Sequence, residues 1–529
     1  MIAREKVSLP RFWRALAIAV IVLAGISTVW LLGEHSLANL GRATLAIGGA
    51  GLVAWWSTRR PIAAFGILFA LSTLSGWTIQ LPIGNMRLEQ PAIAAGLLAL
   101  IYARRLPDRA TLRRLLPIAI ALMVYLGALT VSSLLHSPDR ADSLRMVVWT
   151  GLSMAGGLLA FLLLFGQDSE GSLRWLRPTA GFHASLGIVI AVLYFTLGPV
   201  ILSGGDFLPG MDGKIFGVSW EANLFASLLA ALSFFAIEGF RARPHPVSAA
   251  LIVVVLVGMA VAETRGAYLG LGAGLIVYGS VMVYRRGRLR SLLLPTAVVV
   301  GALFVGAWVT PVLIPGYRVP QEPIDLTTAG WGREFAIGPY LLPGLPSLSG
   351  PTGGGASGLP EPLPSQATPS VSTTATPTAT PAPTLALIND TLAWRLDRIP
   401  TALRDLPGDP IIGLGANSFG QRHLDPSQIN APDHIAILAV AALYESGVVG
   451  SSGLAIGFAL ILLALWRTSR RPIVGPLAAA YIGCLVSLLV AYQATNALNF
   501  SLIWLLAGAG MAIAVRVSPD ENRETEQVA

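Results

Sequence analysis

Apolar runs of about 20 residues recur along most of the chain, and that is the length an α-helix needs to cross the hydrocarbon core of a bilayer. Residues 12–32, 61–80, 115–135, 146–166, 178–202, 292–313 and 475–493 are of this kind. Inside lipid every backbone N–H and C=O has to be paired within the protein, so an isolated span is a helix and not a strand. The sequence therefore reads as an all-α integral membrane protein of about 14 transmembrane helices, with 12 as the lower bound. Composition agrees: 54% of residues are hydrophobic and only 12% charged, where soluble domains carry roughly 25% charged residues. The one cysteine, Cys484, lies inside an apolar run, which excludes an internal disulfide and a cysteine-rich metal centre.

The net charge of +8 would suggest nucleic acid in a soluble protein. Here the basic residues are sorted by side. With the N-terminus placed in the cytoplasm, about two thirds of the 36 Lys and Arg fall in cytoplasmic segments, including Arg59-Arg60, Arg104-Arg105 and the cluster from Arg285 to Arg290. Short outer loops keep only Arg42, Arg87, Arg140, Arg145, Lys214 and Arg265. That asymmetry is an orientation signal, and nucleic acid is dropped as a partner. Both termini are expected in the cytoplasm, with 1–313 and 447–515 as membrane domains, 314–446 as one long extracytoplasmic loop and 516–529 as a polar tail. The first span has a basic start and no small-residue cleavage site, so it reads as a retained anchor.

The long loop has an unusual middle. Residues 341–384 are rich in Pro, Thr, Ser and Gly with no aromatic residue, a composition that cannot bury enough surface to offset chain entropy. Its flanks differ. Leu392, Leu396, Ile399 and Leu403 recur at helical spacing, which predicts an amphipathic helix presenting Arg395, Arg398 and Arg404, stopped by Pro407-Gly408. A glycine-rich turn follows at 411–419, then Asp433, His434 and a stretch ending at Glu445-Ser446-Gly447. Long loops that keep structure are usually functional. A second anomaly is the tight turn between the runs 247–263 and 267–284. It holds Glu263 and Arg265, and Arg265 opposes the charge asymmetry. Trp55, Trp56, Trp149, Trp220 and Trp504, near span ends, are expected to form an interfacial belt.

Four stretches, 216–226, 263–270, 393–419 and 432–450, resemble the O-antigen ligase and O-antigen polymerase superfamily of polytopic inner-membrane proteins. The first carries Asn223 at the entry to a helix; the second carries Thr264-Arg265-Gly266. The third pairs an arginine-bearing helix with Pro410 and the glycine turn, and the last places His434 ahead of Glu445-Ser446-Gly447. Ile435 stands where the family pattern has Asn. The resemblance implies a bacterial cytoplasmic-membrane glycosyltransferase that moves a glycan from undecaprenyl diphosphate to an acceptor hydroxyl on the outer face. That acceptor could be a lipid core sugar, the growing glycan or a protein. It implies no metal and no cofactor. Arg265 with Arg395 or its neighbour Arg398 would hold the diphosphate, since a guanidinium pairs phosphate oxygens through two parallel bonds and stays charged. His434 would take the acceptor proton. Glu445, Glu263 and Asn223 would contact substrate. His423 is the rival base, and His35, His136, His183 and His245 lie elsewhere. Within the same superfamily the activity could equally be polymerisation or protein O-glycosylation. A lipid-linked sugar flippase is the reading from a different class.

Overall fold

The computed structural model describes residues 37–81, 84–168, 171–197, 219, 222–262, 264–286, 290–313, 398–423 and 434–515. Among the described residues ten helices precede the long loop: α1 Leu37–Ser57, α2 Pro61–Thr73, α3 Glu89–Tyr102, α4 Arg109–Leu135, α5 Arg140–Leu164, α6 Leu173–Leu197, α7 Ala222–Ala242, α8 Pro246–Val261, α9 Arg265–Arg286 and α10 Arg290–Leu313. After it come the short α11 Ser418–His423, then α12 Leu438–Ser469, α13 Gly475–Ala491 and α14 Ser501–Ala514. Among the described residues five helices are long and apolar enough to cross a membrane: α4, α5, α7, α9 and α12. The shorter apolar helices include α2, α3, α8, α13 and α14. The protein is largely α-helical and has the construction of a multi-pass membrane protein. The expected span 12–32, residue Trp220 and the insert 341–384 lie outside the described residues.

Polar packing inside and apolar exposure outside fit that construction. α4 exposes Leu112, Leu116, Ile120 and Met123 on one face, while α7 is buried almost all round and keeps Glu238 inside, in ion-pair contact with Arg241 at 2.6 Å. Without a hydrophobic force between helices in lipid, close approach of small residues supplies the packing. α9 shows this along its length. Gly266, Gly270 and Gly274 fall one turn apart and face α13 and the turn after it, where a side chain would run into Ala494, the Ser487 carbonyl and the Gly483 carbonyl. α5 and α14 likewise touch backbone to backbone at Gly157 and Gly508.

Successive helices alternate in direction, so their ends gather in two sets. At one end Arg285 donates to the Arg471 carbonyl at 2.8 Å, and the Arg177 Nε–H donates to the Phe235 carbonyl at 2.9 Å. At the other end, the site end, lie the α4–α5 turn, the start of α12 and the α13–α14 turn. Arg87 donates there to the Asn499 carbonyl at 2.5 Å.

Several sequence expectations change. The span 61–80 is a helix only to Thr73; Thr78–Leu81 and Gly84–Arg87 pair as an antiparallel hairpin, which closes its own backbone bonds and so needs no helix. α5 starts at Arg140 and not at 146, because the Asp139 carboxylate caps it by accepting from Asp142 N–H at 3.0 Å. Trp504 is not part of a belt. It is buried, its indole N–H donates to the Leu498 carbonyl at 2.7 Å, and its ring lies against Phe458. Trp55, 39% exposed, does face outward. His183 sits inside α6 as expected and bonds the Thr73 hydroxyl at 2.7 Å.

The glycine face makes a prediction. Gly270→Leu should lower the thermal midpoint of the detergent-solubilised protein, since overpacking costs about 1–3 kcal/mol even where neighbours can yield. Gly272→Leu, on the open side of the same helix with nothing within 4 Å, should leave the midpoint within a degree or two. Equal effects from both would remove the α9–α13 contact as a packing determinant.

Candidate functional site

The site begins with a broken helix. Gly447 interrupts α12 with φ 62° and ψ −170°, a conformation that glycine adopts without a steric penalty. In an intact helix Tyr444 and Glu445 carbonyls would accept from Val448 and Val449 N–H. Here the glycine-rich segment enters the break and takes over both sides of that exchange. Leu414 N–H donates to Tyr444 O at 2.8 Å and Gly415 N–H to Glu445 O at 3.1 Å. Val448 N–H donates to Pro410 O at 2.9 Å and Val449 N–H to Ile411 O at 3.0 Å. Four bonds replace two, and none of the four groups is left bare.

Close approach is possible because glycine stands on both sides. Gly413 has φ +84°, and a Cβ on it would lie 2.7 Å from the Glu445 carbonyl carbon. A Cβ on Gly447 would lie 2.6 Å from Gly413 N. Gly415 (φ +102°) and Asn417 (φ 55°) carry the chain on through left-handed backbone, where Asn is among the few side chains accepted.

Polar groups from the α4–α5 turn fix the outer side of this wedge. Ser133 Oγ accepts from Ala416 N–H at 3.0 Å, and Ser143 Oγ donates to the Ala416 carbonyl at 2.5 Å. Ser132 Oγ donates to Glu445 O at 2.7 Å. His136 bonds the Gly413 carbonyl through Nδ1 at 2.9 Å and approaches the Asp409 carboxylate through Nε2 at 3.2 Å. Asn417 Nδ2 donates to Asp142 Oδ2 at 2.8 Å, and Asp142 is also ion-paired with Arg145. Gln421 accepts from Ser137 Oγ at 2.8 Å and from Asp139 N–H at 3.1 Å.

This frame places the residues singled out from sequence. The Glu445 carboxylate accepts from Asn417 N–H at 3.1 Å. His434 is exposed, at the start of the extended stretch 434–437, and stands within electrostatic range of that carboxylate. Arg398 opens the described helical stretch 398–405. It is only 5% exposed, which corrects the expected phase: Arg398 and Ala402 turn inward while Leu403 is 49% exposed. The loop has its own small core, in which Ala402, Leu414, Phe419, Ile435 and Tyr444 pack together, and that core sets the rotation in place of the leucine spacing. Pro407 and Gly408 do end the helix, in a 3-10 turn.

Arg265 is exposed on the first turn of α9. Gly266 beside it packs on Ala494. The same α13–α14 turn holds the start of α12, with Leu438 N–H donating to Tyr492 O at 3.2 Å and Ala439 N–H to Gln493 Oε1 at 3.2 Å. Arg265, Arg398, His434 and Glu445 therefore belong to one end of the bundle. Asn223, partly buried, is on the first turn of α7, whose N-terminus belongs to that end too. Glu263 and Arg395 lie outside the described residues.

His423 has a different setting from His434. Its Nε2 meets Asp405 Oδ2 at 2.6 Å, and the Tyr444 hydroxyl donates to the same oxygen at 2.9 Å. Its ring lies against Phe419. That set ties the helical stretch, α11 and α12 together.

Sequence reading missed the α4–α5 turn as part of the site. The signal was the run Ser132-Ser133 through Ser137-Pro138-Asp139, three hydroxyls, an imidazole and a carboxylate at the end of an apolar span. No protein-family model matches this chain, and no curated protein matches it significantly.

The wedge makes a prediction. Gly447→Ala and Gly413→Ala should each destabilise the protein by at least about 1–2 kcal/mol, from left-handed backbone alone, and more from the clash. Gly408→Ala, with open space around it, should be close to neutral. Thermal unfolding in detergent measures all three, and wild-type stability of the first two would mean that the wedge does not carry load.

Proposed function

We propose that the chain is an O-antigen ligase-like glycan transferase. It moves a glycan from a polyprenyl-diphosphate donor to an acceptor hydroxyl at the outer face of a bacterial cytoplasmic membrane. In this reading about 14 helices cross the bilayer, the termini are cytoplasmic and the loop 314–446 is external. The observation that supports it is that Arg398, Arg265, His434 and Glu445 belong to one end of the bundle, opposite the arginine-rich turns.

The chemistry asks for three things. A leaving diphosphate needs fixed positive charge at the membrane surface. Arg265 supports this, since a guanidinium on a helix N-terminus stands against the positive end of the macrodipole, and an anion between them would satisfy both. Arg398, held in the loop core, would bring a second guanidinium that stays charged under all conditions of interest. The acceptor hydroxyl needs a base as it attacks the anomeric carbon. His434, exposed and near Glu445, is the group suited to receive that proton, with Glu445 holding the imidazolium that forms. Direct attack with no covalent enzyme intermediate inverts the anomeric centre. The departing diphosphate stays on its lipid.

The test is transfer from a purified lipid-linked donor to an acceptor, with EDTA present. Arg398→Lys and Arg265→Lys keep charge but lose the planar fork. Each is expected to lose about 10²–10³ in rate, the cost of removing one charge-stabilising donor. His434→Ala should lose roughly 10²–10⁴ while still binding donor, and Glu445→Gln should fall with it. His423→Ala should lose stability more than rate. Full activity of Arg265→Lys and His434→Ala at normal protein levels would reject this site.

A further inference from the structure

The arginine-rich end of the bundle holds a cleft that the transferase reading does not use. It has a volume of about 450 Å³ and lies between the α1–α2 turn and the α5–α6 turn, lined by Arg59, Arg60, the first turn of α2, Gln167, Arg174 and Trp175. Three guanidinium-bearing residues and one side-chain amide thus face one space. Among the described residues Asp168 is the opposing charge. It meets Arg174 at 3.9 Å with both side chains largely exposed, a geometry that screens one arginine weakly. Arg60 stands at the N-cap of α2 with Pro61 behind it, so the positive end of that helix dipole adds to the cleft. One wall is rigid, because Trp175 packs its ring directly on the α2 backbone at Gly66.

A second feature runs into the same place. Leu45, Leu52 and Trp55 are exposed on α1. They fall at spacings of seven and three residues, which is one face of a helix. In the turn just beyond α1, the Arg59 guanidinium lies over the Trp55 ring, 3.9 Å from its centroid. From Leu45 to Ser57 the helix is about 18 Å long at 1.5 Å per residue, enough to follow an acyl chain through one leaflet of roughly 15 Å. An apolar stripe thus leads to a cationic pocket, with an aromatic ring at the junction.

We propose that this stripe and cleft bind one anionic phospholipid at the arginine-rich end, with the phosphodiester among Arg59, Arg60 and Arg174 and a chain along Leu45, Leu52 and Trp55. Basic pockets between helix ends suit phosphate headgroups in this way. The stripe favours a lipid over a soluble phosphate, because a free phosphate would need the cleft and not the stripe. The inference does not depend on the proposed transferase activity.

The test titrates the full-length protein in detergent by native mass spectrometry with phosphatidylglycerol, phosphatidylcholine and glycerol 3-phosphate. Wild type should hold phosphatidylglycerol well above phosphatidylcholine. The combined variant Arg59→Gln, Arg60→Gln, Arg174→Gln should bind it at least about tenfold more weakly, since each basic residue at a membrane surface is worth roughly fivefold. A control carrying Arg105→Gln, Arg113→Gln and Arg114→Gln, three arginines of the α3–α4 turn and the second turn of α4, should stay within about twofold of wild type on the same scale. If the combined variant does not insert, Arg60→Gln and Arg174→Gln alone carry the test, each expected to weaken binding about threefold to fivefold. Unchanged binding in the cleft variants overturns the proposal. An equal loss in the control overturns it too, by showing diffuse charge in place of a site. Displacement of the lipid by glycerol 3-phosphate overturns the lipid assignment.

Discussion

A helix that ends inside a membrane protein leaves backbone groups that nothing around it will hydrate, and α12 meets that problem at Gly447. The answer is an exchange of hydrogen bonds. Pro410 and Ile411 supply the carbonyls that Val448 and Val449 need, and Leu414 and Gly415 supply the N–H groups that Tyr444 and Glu445 need. A bare backbone group in such a setting costs about 1–3 kcal/mol, so the segment 410–415 is bound to the break by the cost of leaving it. The rest of the site follows from that attachment.

Rigidity passes outward in steps. The wedge fixes Ala416 and Asn417, which the serines and Asp142 of the α4–α5 turn then hold. Asn417 in turn fixes the Glu445 carboxylate through its backbone N–H. Tyr444, one residue earlier, orients Asp405 and through it His423. Glycosyl transfer at a membrane surface needs donor and acceptor groups kept in register while a bulky lipid-linked substrate moves in. In the proposed function the wedge is what keeps Arg398 and Glu445 on one frame, while exposed His434 and Arg265 line the approach.

Much of this was legible in the sequence, for identifiable reasons. Apolar length located the helices, and the stop at Pro407-Gly408 and the break at Gly447 follow from residues with local backbone effects. Asn223 and Arg265 open α7 and α9 at one end, because alternating helices return to the same side at every second turn, and the loop brings Arg398, His434 and Glu445 to that end. What sequence did not carry was long-range. The rotation of the helical stretch that carries Arg398 is set by the packing of Ala402 with Phe419 and Tyr444, and leucine spacing points to a different face. The expected span 61–80 runs into the first strand of the hairpin at Thr78, since a self-paired ribbon removes the constraint that makes lone spans helical. Trp504 looked interfacial by position and is held inside by Leu498 and Phe458. The serines of the α4–α5 turn acquire meaning only beside a segment nearly 300 residues later.

The bond exchange at Gly447 is the claim on which the other statements rest, and amide hydrogen exchange of the solubilised protein measures it residue by residue. Leu414 and Gly415, in a glycine-rich loop, should exchange as slowly as Val448 and Val449, because all four amides open only when the wedge leaves the helix. Fast, loop-like exchange at Leu414 and Gly415 with slow exchange at Val448 and Val449 would show a continuous helix and contradict the account.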